Sequence, residues 1–166
     1  ARSLRPSHLI KNLLVFGGII FAKRLTEMDR LLLAGAAFCL FCAISGTVYV
    51  LNDLLDLRQD RLHPEKRHRP LASGALSLPV AVAGVALILP AALILAFRVN
   101  LTLGWIAAVY FLQSLLYSVW LKKLVILDVM VLAMGFVWRA VAGAVAVQVE
   151  VSSWLILCTF LSSLFL

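Results

Sequence analysis

Apolar residues run along this chain in long unbroken stretches, without the two-residue alternation of a half-buried strand. Six such stretches can be drawn, at 8–22, 31–51, 78–97, 101–121, 125–147 and 152–166. A helix needs roughly 20 mainly apolar residues to cross the hydrocarbon of a bilayer, whereas membrane strands show short alternating segments. The pattern predicts an all-α, polytopic transmembrane bundle with six spans, the first short. Leu166 falls inside an apolar run with no charged stop after it, so residues 1–166 read as one membrane domain truncated within its sixth span. The small residues Gly17, Gly18, Ser45, Gly46 and Gly143 are expected to let helices approach closely. Pro90 should kink or weaken the third span.

Composition excludes the soluble alternative. Apolar residues make up 63% of the chain and charged residues 14%, with a mean hydropathy of +1.03. Soluble domains are about 45–50% apolar and about 25% charged. A domain of this size has no core large enough to hide the difference.

The net charge of +7 changes the picture only through its distribution. Basic residues occupy short breaks between apolar runs, which is a topology signal and gives no reason to expect a nucleic-acid partner. With the N-terminus inside, the inner segments hold ten Lys and Arg: Arg2, Arg5, Lys11, Arg58, Arg61, Lys66, Arg67, Arg69, Lys122 and Lys123. The outer ones hold four: Lys23, Arg24, Arg30 and Arg98. The expected setting is therefore the cytoplasmic membrane, multi-pass, with the N-terminus and the polar site on the cytoplasmic face. Cys39 and Cys42 form a CxxC pair, but inside an apolar run with no nearby His, so they read as small fillers of a span.

One break carries more chemistry than topology needs. The second stretch runs into Asn52-Asp53-Leu54-Leu55-Asp56-Leu57-Arg58-Gln59-Asp60. If the helix continues, Asp53, Asp56 and Asp60 fall at i, i+3 and i+7 on one face, with the Asn52 amide one turn before Asp56. Clustered carboxylates repel unless a cation lies among them. Oxygen donors on a helix suit Mg²⁺, which binds through one or two carboxylates together with substrate phosphates. The same four residues are the candidate metal ligands, and the three aspartates the candidate catalytic groups.

A basic loop follows at once. His63, Lys66, Arg67, His68 and Arg69 lie in a stretch broken by Pro64 and Pro70, with Arg61 just before them. Arg and Lys hold phosphate by charge-assisted hydrogen bonds. Lys11, Tyr117 and Lys122 are further candidates at the same end of the bundle. Arg139 lies 11 residues past Asp128, about 16 Å along a helix, deep in the fifth stretch. An arginine there is costly and should face a polar cavity, a substrate phosphate or an internal ion-pair partner.

On these residues the chain resembles the UbiA superfamily of membrane prenyltransferases. Asn52-Asp53-x-x-Asp56-x-x-x-Asp60 matches that family's first Asp-rich motif. The run Asp60-Arg61-x-His63-Pro64-x-Lys66-Arg67-x-Arg69-Pro70 looks like the branch containing decaprenyl-phosphate phosphoribosyltransferase. So do Arg5-Pro6, Lys11-Asn12, Val15-Phe16 and Arg139-Ala140-x-Ala142-Gly143. The resemblance implies about nine spans, a lateral opening for a polyprenyl chain, and Mg²⁺ held by two Asp-rich motifs. The second of these would lie past Leu166, so these residues alone would hold half of the metal site and are expected to be inactive by themselves.

The implied reaction joins phosphoribosyl diphosphate to a polyprenyl phosphate, supplying a lipid-linked pentose for cell-wall arabinan. Its partners would be a polyprenyl lipid, a phosphorylated small molecule and the surrounding membrane lipids. Two other readings stay open. A polyprenyl diphosphate could be the donor and an aromatic ring such as 4-hydroxybenzoate the acceptor. The chain could also belong to a transporter, although coupling-ion groups of transporters usually sit near the midplane.

Overall fold

The structure, a computed structural model, describes residues 11–165. Arg2, Arg5 and the first residues of the stretch 8–22 lie outside the described residues. Among the described residues every regular element is helical. A 3₁₀ turn, Leu13–Phe16, runs into the short helix α1, Gly17–Phe21. Then come α2, Met28–Leu55, and the short α3, Leu57–Leu62. After a polar loop follow α4, Leu78–Val99, α5, Leu101–Val119, α6, Val125–Ala146, and α7, Ser153–Leu164. The helices α2, α4, α5 and α6 are long and apolar enough to cross a bilayer, while α7 is shorter. Among the described residues, the first of the six stretches is likewise short and mixed in character.

Local chemistry accounts for the boundaries. Pro79 opens α4, where its missing N–H costs nothing, and the helix passes through Pro90 as one element. Asn100 ends α4 and caps α5, accepting hydrogen bonds from the backbone N–H of Thr102 (2.8 Å) and Leu103 (3.4 Å). Arg30 donates to the Val147 carbonyl just past α6, satisfying a group the helix end leaves over.

Small residues set the packing. Ala37 on α2, Ala92 and Ala96 on α4, Ala107 on α5, and Ala142 and Ala146 on α6 share one core with Phe41, Ile44 and Leu103. Two glycines bring the first segment against α6 backbone to backbone. A Cβ on Gly143 would strike the Val15 carbonyl group, and one on Gly18 would lie 2.6 Å from the backbone of Ala144. Large apolar side chains such as Leu32, Leu87, Ile94, Trp105 and Ile126 face outward, as a bundle in hydrocarbon requires.

The chain order brings Lys11, the loop 56–77 and the turn 120–124 to one end of the bundle. Residues 22–27 and 147–152 lie at the other. The fold is that of a multi-pass integral membrane protein.

Candidate active site

The acidic segment sits where α2 gives way to α3. The backbone departs from helix at Asp56 (φ −93°, ψ 4°) but keeps its hydrogen-bond spacing: Asp56 N–H donates to Asn52 (3.0 Å) and Asp60 N–H to Asp56 (2.9 Å). Asp53 and Asp60 therefore stay on one face, two turns apart. Arg69 reaches back from the loop, and a single nitrogen, Nη1, donates to Asp53 Oδ1 (2.9 Å) and to Asp60 Oδ2 (2.7 Å). The Asp60 side chain is only 3% exposed, and Arg69 is its ion-pair partner there.

Asp56 departs from the sequence expectation. It is turned to Lys122, whose Nζ donates to both carboxylate oxygens at 2.7 and 2.8 Å. The three carboxylates are thus split into a pair and a single group. Among the described residues no three Asp, Glu, His or Cys side chains come together closely enough to hold a metal. The offset of Asp56 from the line joining Asp53 and Asp60, and a lysine within reach, explain the split. The pair itself fits a hard divalent ion. Its donors are all oxygen, and a cationic nitrogen already lies between the two carboxylates. Mg²⁺ needs no more than one or two protein carboxylates when phosphate and water complete its shell.

The loop beyond closes over this pair. A 3₁₀ turn at Lys66–His68 and the bonds Arg69 N–H to Lys66 and Ser73 N–H to Arg69 fold it tightly (2.9 and 2.8 Å). Arg61, Lys66 and Arg67 are exposed at the rim. Arg69 is drawn inward as the counter-ion, which distinguishes it from the other basic residues of the loop.

A second polar region lies beneath. A cavity of about 130 Å³ is lined by Lys11, Asn52, Tyr117 and Arg139 together with Tyr110 and Gln113. Four sequence-predicted residues from four segments thus meet around one space. Arg139 is buried, and its partners are neutral: Nε donates to Asn12 Oδ1 (2.6 Å), Nη2 to Tyr110 Oη (2.7 Å) and Nη1 to the Gly135 carbonyl (2.8 Å). Its guanidinium also stacks near the rings of Tyr110 and Phe136. The polar cavity expected around Arg139 is present; the internal ion pair is not found among the described residues.

Sequence reasoning missed other polar groups buried in or near this region. Asn12 is fully buried and its Nδ2 donates to Ser45 Oγ (3.0 Å) and Cys42 Sγ (3.2 Å). Gln113 Nε2 donates to the Val131 carbonyl and Gln113 Oε1 accepts from Trp138 Nε1, both at 2.7 Å. Asp128 Oδ1 is buried without a hydrogen-bond partner among the described residues. A polar residue inside an apolar span was the signal available for each.

The UbiA prenyltransferase family matches residues 13–166. The chain belongs to that family. As a UbiA-family protein it is 33% identical over 169 aligned residues to a decaprenyl-phosphate phosphoribosyltransferase of Mycolicibacterium smegmatis, covering 99% of this chain and 53% of the relative. It is 31% identical to the protein of the same name from Corynebacterium glutamicum, covering 99% and 51%. It is 35% identical to nodulation protein NoeC of Azorhizobium caulinodans, covering 89% and 48%. The chain spans about half the length of these relatives. Membership in a transferase family removes the ground for reading the chain as a transporter.

Proposed function

We propose that the protein is a Mg²⁺-dependent membrane transferase that passes phosphoribose from phosphoribosyl diphosphate to a polyprenyl phosphate. The observation that carries this reading is the join at one end of the bundle. A carboxylate pair, Asp53 and Asp60, is bridged by Arg69 from a loop that also bears Lys66 and Arg67, with Arg61 at the end of α3 just before it. The likeness to decaprenyl-phosphate phosphoribosyltransferases over nearly the whole chain supports the choice of donor and acceptor.

Asp53 and Asp60 would hold the metal, with Asn52 and Asp56 beside them. When bound, Mg²⁺ would neutralise the diphosphate as a leaving group. The chain's own residues do the rest. Lys66 and Arg67 meet the donor's remaining phosphate at the rim. Lys122 holds Asp56 in place. Lys11, Tyr117 and Arg139 give the cavity below a positive, hydrogen-bonding lining that holds an anionic group. The bond from the anomeric carbon to diphosphate oxygen breaks, and a bond to an oxygen of the lipid phosphate forms. That phosphate is already ionised at neutral pH, so no strong general base is required. The positive-inside distribution of Lys and Arg supports a cytoplasmic position for this end, on the side where a soluble phosphorylated donor is available.

The test offers the full-length protein phosphoribosyl diphosphate with a polyprenyl phosphate, and in parallel a polyprenyl diphosphate with 4-hydroxybenzoate. A phosphoribosyl-lipid in the first reaction supports the reading. Product in the second alone overturns it in favour of prenyl transfer.

A further inference from the structure

Arg69 occupies a position that the proposed reaction needs for something else. Its Nη1 lies between Asp53 and Asp60 and hydrogen-bonds both, at 2.9 and 2.7 Å. One positive charge on one nitrogen thereby satisfies two carboxylates, the arrangement a bridging divalent ion would make. The neighbouring Asp56 has its own cation in Lys122. The acidic segment is therefore neutralised from within by two side chains from two different elements. Arg69 and a metal cannot both lie between Asp53 and Asp60, because each is a cation seeking the same oxygens.

We propose that Arg69 is an exchangeable counter-ion: a metal entering the Asp53/Asp60 pair displaces it, and the released guanidinium turns to the phosphate that the metal brings. This rests on the metal reading given above and deepens it. The loop supports such a movement. Arg69 is followed by Pro70, and its turn is held by local backbone bonds from Lys66 to Ser73. Two side-chain bonds, to Asp53 and to Asp60, tie this turn to the α2–α3 corner. Breaking them frees the guanidinium and removes the turn's anchorage to that corner, so its local backbone bonds open more often. The neighbours Lys66 and Arg67 are exposed on the same turn, so the released Arg69 joins a cluster of like charge that only an anion stabilises.

Two consequences follow from linkage. Metal alone binds weakly, because it must compete with an internal cation. Metal and phosphate ligand reinforce each other, because phosphate takes up the displaced guanidinium, and the reinforcement is reciprocal. An arginine suits this exchange better than a lysine. One of its nitrogens serves both carboxylates in one state, and its planar fork pairs bidentately with a phosphate in the other.

The experiment measures Mn²⁺ binding to the full-length protein in detergent by electron paramagnetic resonance, with and without inorganic diphosphate. Wild type and Arg69→Gln are compared. The expected result is tighter Mn²⁺ binding without diphosphate in the variant, by about tenfold, within the usual range of coupling between sites. Diphosphate should strengthen Mn²⁺ binding in wild type and much less in Arg69→Gln. Unchanged or weaker Mn²⁺ binding by the variant overturns the exchange while leaving the metal site standing. If neither protein binds Mn²⁺, the metal reading falls and the exchange with it.

Asp60 is nearly buried, so Arg69→Gln could fail to fold. A second measurement then uses wild type alone. Amide hydrogen exchange in a peptide covering residues 63–77 should quicken with Mg²⁺ and slow again when diphosphate is added. A rate indifferent to Mg²⁺ overturns the proposal.

Discussion

At the scale of single residues, Arg139 shows how a membrane interior accommodates a charge. It has no carboxylate partner among the described residues; an amide oxygen, a phenol and a backbone carbonyl take its N–H groups. Removing it strands Asn12 Oδ1 and the Tyr110 hydroxyl in a buried setting. Arg139→Met should therefore lower unfolding stability by about 2 kcal/mol, the cost of leaving buried polar groups without a partner. Asn12→Ala should cost a similar amount. The double variant should cost less than the two combined, since both break the same bond. Unfolding in mixed micelles checks all three. The sequence marked Arg139 as exceptional because it stands deep in an apolar stretch. It could not name the partners, because Asn12 and Tyr110 lie 127 and 29 residues away and their meeting depends on how three segments pack.

At the scale of elements, the corner between α2 and α3 decides the site. Period alone aligned Asp53 with Asp60, and the structure keeps that alignment. Period alone also grouped Asp56 with them, and there tertiary contact prevailed: Lys122, 66 residues on, draws Asp56 aside. Asp53→Asn and Asp60→Asn should each reduce transferase turnover by about a hundredfold or more, as expected when one preorganised charge is removed from an active site. Lys66→Ala and Arg67→Ala should instead raise the KM for the phosphorylated donor and leave the KM for the lipid alone. Both side chains are exposed, so stability should change by less than about 0.5 kcal/mol. Steady-state kinetics separates the two groups of variants.

The glycines give an independent check on the packing. Gly143→Ala forces a Cβ into the Val15 carbonyl and should destabilise by about 1–3 kcal/mol. Gly35 has open space around its Cβ position, so Gly35→Ala should be neutral or stabilise α2 by up to about 1 kcal/mol. The sequence pointed to Gly143 as a close-approach residue. It could not name Val15 as the group approached, because that depends on what the neighbouring segment presents.

At the scale of the whole molecule, the run lengths of apolar residues foretold the helices to within a few positions, because a bilayer demands length above all else. The ends were harder to read. The second stretch extends beyond its apolar core to Leu55, since helix continues where hydrophobicity stops. The joining of Lys11, Asn52, Tyr117 and Arg139 around one cavity was not legible from spacing, as each comes from a different segment. The proposed topology puts the loop bearing Arg67 and the turn bearing Lys122 on the cytoplasmic face, and Arg24 and Glu150 on the other. Single cysteines at these positions, probed in right-side-out and inverted vesicles, should label in those two groups. Mixed labelling within a group would contradict the topology.

In the proposed function, Asp53 and Asp60 hold the metal-bound diphosphate end of the donor. An experimental structure of the full-length protein with Mn²⁺ and phosphoribosyl diphosphate tests it most directly. The expected result is an anomalous Mn²⁺ peak at the Asp53 and Asp60 carboxylates, with Arg69 moved onto phosphate. A donor bound elsewhere, with Arg69 still joining the two aspartates, would contradict it.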